Sequence, residues 1–583
     1  ENKKVKTQRR MLQSSRSVRR NLAATAARHV RTVYYGVNFP VNHAKIPLIQ
    51  STMDDRSTSE AAKDIFSHAI ASVDKDYAAK VMNEKKWRTK YTDHVCKSTL
   101  LGAQSKSNAL TIAKAGLDEI YATFDFFCTD GHVVKFSEAM KDTKTTYHTG
   151  TVKGTKQRTG KSEIKVPYKC FHTGEYKELK GQALIDQAHK WAEWGTIEQD
   201  CADAIAAVVR NPEWMDLKDQ TFVILGASSA MGPFHVLKDL GANIIAVDID
   251  RPDVWKRLIE EVYYNSNATI TFPMSEPFTG QTGNDLYRKC GGNMIRDTPK
   301  VRNWVRDTVP EVAKGNPVTI GGYAYLDGEL HVRVNLACDV IMKDLAESYG
   351  WDKTNLHFLP TPTDAYIIND TVDNAVKKNI ADAPAWQKRL EMFQSLGKMV
   401  PMETQTAIAE DGTKMHLSDS LMATQGPNYA LAKRIQQWRS ILARESGSTV
   451  SFSIAPATAT ASVLSNKMFA AAYGGAHFWE PVEIFYSDLS NAVMGILLIH
   501  DVRNPESSSR PHVNMDMNPM LWLSSKAFHG GFMRCAYKFT SIAELAATIY
   551  LFNTYIGKYF GIKNMPSKKS AHRPSSPGAP QAA

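Results

Sequence analysis

The residues with the clearest chemical potential are glycines. A short apolar run, Phe222 to Leu225, is followed by Gly226, Ala230 and Gly232. That spacing after a buried strand predicts a tight turn whose backbone amides face a pyrophosphate. Gly226, Ser228, Ser229, Ala230, Met231 and Gly232 are the candidate dinucleotide contacts. Pro233 suits the first position of the helix that follows, Phe234 to Leu240 supplies its apolar face, and Gly241 ends it before a second strand, Ile244 to Val247. Asp248 then stands at that strand's carboxyl end. A carboxylate there can accept hydrogen bonds from both ribose hydroxyls of NAD and repels the extra phosphate of NADP. NAD is therefore the favoured cofactor, with Arg251 nearby keeping NADP open. S-adenosylmethionine also suits a glycine-rich first turn with an acid after the second strand.

The turn Gly226-Ala-Ser-Ser-Ala-Met-Gly232 resembles the TGxxxGxG loop of the short-chain dehydrogenase/reductase family, with Leu225 in place of the usual Thr and Ala230 in place of the central Gly. Two further matches follow in that family's order. Tyr429 and Lys433 have its YxxxK spacing, and the apolar strand Val450 to Ile454 leads into Ala455-Pro-Ala-Thr-Ala-Thr-Ala461. The latter is similar to the family's sixth strand and the Pro-containing loop near the nicotinamide, with Thr458 as the candidate contact. Two other YxxxK pairs, Tyr176 with Lys180 and Tyr559 with Lys563, fall outside the order. The resemblance covers roughly residues 218 to 505.

A free tyrosine has a pKa near 10, so proton exchange at neutral pH needs a nearby cation that favours the phenolate. Lys433, one helical turn after Tyr429, lies on the same helix face and could supply it. The resemblance implies Tyr429 as general acid/base, Lys433 as its tuner and a ribose contact, and an NAD(P)-dependent oxidoreductase moving hydride between a carbonyl and an alcohol. It also implies a Ser that polarises the carbonyl. Ser418 is favoured for that role, with Ser420 close by; however, the fifth strand, Asn355 to Leu359, ends in Pro360-Thr-Pro-Thr-Asp364, so Thr361 or Thr363 could replace it. If none of these hydroxyls reaches the site, the alternative is a catalytically degenerate Rossmann-fold subunit with a structural or assembly role in a larger complex.

The elements that must position these groups read as an α/β protein: a Rossmann-like doubly wound parallel sheet with an additional, mainly helical N-terminal domain. Residues 1–31 are a basic tail and 32–217 the helical domain, with helices expected over Glu60 to Val81, Ala109 to Phe126 and Gln182 to Val209. Residues 218–505 form the dinucleotide-binding domain, with further strands at Ala268 to Phe272 and Val318 to Tyr325 and a helix at Val334 to Glu347. The helix-like Ala385 to Met399 belongs to an insertion before Tyr429. The Thr/Gly/Lys-rich stretch Lys141 to Lys165 reads as a linker or mobile loop. Residues 506–563 are an aromatic and Met-rich extension read as core or interface, and 564–583 a disordered tail.

Composition narrows the partners. The chain of 583 residues carries a formal net charge of +11, of which residues 1–31 hold +9 and residues 564–583 hold +3. The body is therefore close to neutral, and no nucleic-acid partner is expected. A small carbonyl or alcohol substrate, or a protein complex, is expected instead, with an oligomer open. The Arg/Ser/Ala-rich start from Met11 onward reads like an organellar transit peptide, favouring mitochondrion or plastid over cytosol. Seven scattered Cys without a CxxC indicate a reducing compartment, and no spaced His/Cys cluster suggests a metal. The longest apolar candidate, Ile542 to Phe560, contains Glu544, Asn553 and Lys558 and reads as a partly buried helix of a soluble protein rather than a membrane span.

Overall fold

The apolar run before the glycine turn is buried on both sides. In the strand Thr221–Leu225, Phe222 and Ile224 enter one core while Val223 and Leu225 enter another, as the two-residue period of a strand requires. Ile244 and Ala246 divide from Ile245 and Val247 in the same way. Strands buried on both faces need apolar residues at every position, which is why these runs show no polar alternation. The computed structural model describes residues 35–40, 57–157, 163–171, 173–392 and 399–557.

Seven strands make the central sheet: β1 (His148–Lys153), β2 (Thr221–Leu225), β3 (Asn243–Val247), β4 (Thr269–Met274), β5 (Val318–Gly322), β6 (Thr354–Phe358) and β7 (Val450–Phe452). Across the sheet the order is β7-β6-β5-β2-β3-β4-β1. Every neighbouring pair is parallel except β4 with β1. The protein is thus an α/β protein with a mixed, mostly parallel sheet and a helical N-terminal region.

Helices cover both faces. Helices Thr298–Ala313, Glu329–Tyr349 and Pro427–Glu445 contribute to the core that holds Val223 and Leu225, and helices Pro252–Asn265 and Ser487–Arg503 to the core that holds Phe222 and Ile224. The N-terminal helices Thr58–Ala71, Trp87–Ala103 and Lys106–Thr123 share the first of these cores. Gly116 shows how closely they sit, because a Cβ there would lie 2.6 Å from the Trp438 ring. The helices Gly181–Trp194 and Gln199–Arg210 belong to the opposite core. The described N-terminal helices therefore contribute to the cores on both faces of the sheet.

Several expectations are corrected. The stretch Lys141 to Lys165 is not simply a linker, because it contains β1, hydrogen-bonded along β4 from His148↔Met274 to Lys153↔Thr269. An edge strand exposes polar residues, so its Thr and Lys content looks like loop. The helix expected over Glu60 to Val81 is two helices, Thr58–Ala71 and Lys75–Met82, the second capped by Asp74, whose side chain accepts from the Tyr77 amide. Gln182 to Val209 is likewise divided at Gly195, which ends its helix in the left-handed conformation. The helix over Ala109 to Phe126 stops at Thr123, and Asp125–Phe127 is a strand. β5 ends at Gly322 rather than Tyr325. Only Ala385–Met392 of the insertion helix is described. Both terminal tails, and with them the targeting reading, lie outside the described residues.

Met520 and Trp522 of the C-terminal extension are buried in the first core. Among the described residues no helix is long and apolar enough to cross a membrane, and no group of three or more His, Cys, Asp or Glu is placed to hold a metal ion.

Candidate functional site

Register brings the ends of three strands to one line. Leu225 pairs with Val247 on one side and Gly322 on the other, so Gly226, Asp248 and Tyr323 leave the sheet side by side. Between β2 and β5 the direction of chain progression across the sheet reverses. In open parallel sheets the crevice outside the carboxyl ends at such a reversal is where ligands bind.

The turn is held mainly by its own backbone. Gly226 has φ +91°, and a Cβ there would lie 2.6 Å from the Ala324 amide nitrogen, so only glycine fits. The amides of Gly226 and Ala227 both donate to the Val247 carbonyl, at 2.9 and 3.1 Å. Ser228 N–H donates to Asp248 Oδ2 at 2.6 Å, and Ile249 N–H to Asp248 Oδ1 at 2.8 Å. Asp248 thus braces the turn with one oxygen and caps its own chain with the other, a task its sequence position did not announce. Ser229 and Gly232 close successive turns onto the Gly226 and Ser229 carbonyls, each at 3.1 Å. Ala230 is exposed and Met231 half-buried, and the amides of both are without a hydrogen-bond partner among the described residues. Gly232 differs from Gly226, since a Cβ there would meet Tyr323 at an ordinary 3.4 Å.

Tyr429 stands in the first turn of helix Pro427–Glu445, which begins after Gly426 with Pro427 at its first position. Its ring stacks on His331, with centroids 5.4 Å apart and planes at 16°, and lies 6.4 Å from the ring of Tyr325, which follows β5. Lys433 Nζ is 5.5 Å from the Tyr429 ring centroid, as one helical turn allows. Nζ donates to Gln436 Oε1 at 3.1 Å, Gln436 Nε2 to Asn335 Oδ1 at 2.6 Å, and Asn335 Nδ2 to the His331 carbonyl at 2.7 Å. The Thr361 side chain lies close enough to the phenol to favour its charged form. Thr361 in turn lies 2.8 Å from the Thr363 hydroxyl, which donates to Gln425 Oε1 at 3.0 Å. Asp364 forms an ion pair with Arg434 and accepts from Gln437 Nε2 at 3.2 Å.

Burial governs the charges of this cluster. It pushes the Tyr429 phenol well above its ordinary value, despite the Thr361 side chain, which pulls the other way. Burial pushes Lys433 down to about 8, against the nearby Asp364 carboxylate that favours its charge. His331 is pushed down to about 3 by burial and by the Lys433 charge, so it is neutral at pH 7. The arrangement is a protonated phenol beside a mostly charged ammonium and a neutral imidazole. Such a phenol is in the form that can give a proton to an oxygen.

The other expected residues lie as follows. Ser418 is in the strand Lys414–Asp419, paired with Tyr366 in a separate three-stranded antiparallel sheet, and its Oγ is buried without a partner. Ser420 Oγ donates to the Phe532 carbonyl at 3.3 Å. Thr361 is the hydroxyl whose influence reaches the Tyr429 phenol. Thr458 donates to the Pro456 carbonyl at 2.8 Å and lies 2.8 Å from Ser490 Oγ. The segment after β7 reaches the segment after β6 through Ala455 N–H donating to the Pro360 carbonyl at 3.0 Å. His331, Asn335 and Gln436 were missed by sequence reasoning. Each sits on a helix among apolar neighbours, and nothing in the spacing marks them. Two cavities of about 550 and 330 Å³ lie elsewhere, beside Trp214 and Arg503 and beside Val209 and Ile496; neither is lined by Tyr429, Lys433 or the glycine turn.

No family model, no curated protein and no solved structure matches the chain.

Proposed function

We propose that the chain is an NAD(P)-dependent oxidoreductase of the short-chain dehydrogenase/reductase type, built on a Rossmann-like doubly wound sheet. The observation that carries the reading is positional. The glycine turn after β2 and the Tyr429–Lys433 pair both lie at the carboxyl edge of a sheet whose six parallel strands, counted along the chain, have the order 3-2-1-4-5-6. The unpartnered amides of Ala230 and Met231 suit a pyrophosphate. Lys433 would reach a nicotinamide ribose, and Thr458 belongs to the segment that would face the nicotinamide.

The cofactor would supply or accept the hydride. Tyr429 would pass its phenolic proton to the oxygen of a carbonyl substrate, or take one from an alcohol in the reverse direction. Lys433 would stabilise the phenolate left behind, and the Thr361 hydroxyl would favour the same charged form. NAD stays the favoured form because the Asp248 charge repels a 2′-phosphate even while one of its oxygens holds the turn. An organellar location fits the basic N-terminus.

A second reading, a Rossmann-like subunit without turnover in a larger assembly, draws support from Asp248. Both its oxygens already accept backbone hydrogen bonds, so fewer lone pairs are left for a ribose. Calorimetry of the full chain with NADH, NADPH and S-adenosylmethionine separates the possibilities. Saturable binding of NADH, weaker for NADPH, is expected, and binding of S-adenosylmethionine alone would overturn the proposal. Cofactor binding with no turnover across a panel of carbonyls and alcohols would favour the second reading.

A further inference from the structure

Besides Asp248 and Arg257, which meet Ser228, one further side chain grips the glycine turn from outside. Helix Ser487–Arg503 runs beneath it, and Asn491, buried to 8% exposure, donates from Nδ2 to the Ala230 carbonyl at 3.2 Å and also to the Gly232 carbonyl. The helix comes this close because Gly495, one turn on, has no side chain: a Cβ there would lie 2.9 Å from Val236 of the short helix that follows the turn. The residue before Asn491, Ser490, has its Oγ 2.8 Å from Thr458 Oγ1. Adjacent residues of one helix therefore fasten the turn after β2 and the segment after β7.

The carbonyl contacts have a consequence for the amides. In a trans peptide the C=O and the next N–H share a plane and point in opposite directions. With the Ala230 carbonyl drawn toward Asn491, the Met231 N–H is turned away from the helix. With the Ser229 carbonyl taken by the Gly232 amide at 3.1 Å, the Ala230 N–H is turned out of the turn. These are the same two amides that lack partners, and successive outward amides form a concave site for an anion. The Gly232 carbonyl is followed by Pro233, which has no N–H to offer.

We propose that Asn491 is a positioning residue that aims the Ala230 and Met231 amides at the phosphates of a nucleotide, and that Ser490 ties this site to the Thr458 segment. The inference rests on the dinucleotide reading. Its chemistry requires a diphosphate-bearing nucleotide, since a nucleoside without phosphates gains nothing from outward amides.

The test is calorimetry of the full-length protein with NADH, ADP and adenosine, on the wild type, Asn491→Leu and Asn491→Asp. Asn491→Asp keeps the shape of the side chain and removes its donor but adds a charge that itself repels phosphate, so a loss is read as loss of the donor only where Asn491→Leu, neutral and of similar volume, shows it too. Both variants are expected to bind NADH and ADP about tenfold more weakly, the size of one lost hydrogen bond, and adenosine unchanged. Ser490→Ala is expected to weaken NADH about threefold and leave ADP unaffected. Hydrogen exchange of the amides of residues 227–232, measured without ligand, should quicken in both Asn491 variants. Wild-type affinity for NADH and ADP in either Asn491 variant, or an equal loss for adenosine, would overturn the inference. A wild type that binds neither NADH nor ADP would remove the dinucleotide reading itself, and this inference with it.

Discussion

Of the seven amides from Gly226 to Gly232, five are spent on the Val247 carbonyl, on Asp248 and on the turn's own carbonyls. The cluster around Tyr429 is built the other way. His331 Nε2 and Asn428 Oδ1 are buried with no partner, and the phenol and ammonium are both pushed toward their neutral forms by burial. A buried polar atom without a partner costs about 1–3 kcal/mol, so the Tyr429 region spends stability that the glycine turn does not. Satisfied backbone gives a preformed binding surface, whereas perturbed, under-satisfied side chains are what proton transfer uses. On the reading proposed above, the two regions would be complementary halves of one site, one rigid and one reactive.

The comparison breaks first at Tyr429. Tyr429→Phe is expected to lower turnover about 10²- to 10⁴-fold while NADH affinity measured by calorimetry is unchanged, because in the proposed reaction the phenolic oxygen would serve the proton and not the cofactor. Turnover at the wild-type rate would remove Tyr429 from the chemistry. Lys433 adds a pH signature. Its folded-state value is lowered from 10.5 to about 8, so the unfolded chain binds more protons between those limits and stability rises with pH across that window. Thermal melts should show this rise in the wild type and lose it in Lys433→Met. Turnover that depends on the ammonium should fall as pH climbs past about 8.

The rigid half is tested at its glycines. Gly226→Val places a β-branched side chain at positive φ and against the Ala324 backbone. It should destabilise the protein by at least about 1–3 kcal/mol in urea unfolding. Gly232→Ala, whose new methyl meets Tyr323 at contact distance, should stay within about 0.5 kcal/mol of the wild type. Equal losses at the two positions would mean that the turn is held by something other than the Gly226 conformation.

The two halves also differ in how far they can be read from residues alone. β2, β3 and the turn between them are legible because a strand buried on both faces must be continuously apolar and a chain reversing beside another backbone must have glycine. Tyr429 and Lys433 are legible as a spacing. Their surroundings are not, because His331, Thr361 and Gln436 come from three separate segments that only the packed sheet brings together. Asp248 was read at the right place but with its oxygens free, since a hydrogen bond from Ser228 N–H depends on the folded path of the turn. β1 was hidden by the polarity that an edge strand tolerates.

The smallest effects decide which hydroxyl belongs to the reactive half. The Thr361 hydroxyl favours the charged form of the Tyr429 phenol, so Thr361→Val keeps the volume, removes that hydroxyl and should lower turnover about tenfold if it orients the phenol during the reaction. Ser418 lies in the neighbouring antiparallel sheet with its Oγ buried and unpartnered. Ser418→Ala then removes a desolvated oxygen that makes no bond, so turnover should be unchanged and stability in urea equal or higher by up to about 1 kcal/mol. The reverse pattern, a loss with Ser418→Ala and none with Thr361→Val, would require the antiparallel sheet to move Ser418 onto the phenol during the reaction and would give Thr361 a purely packing role.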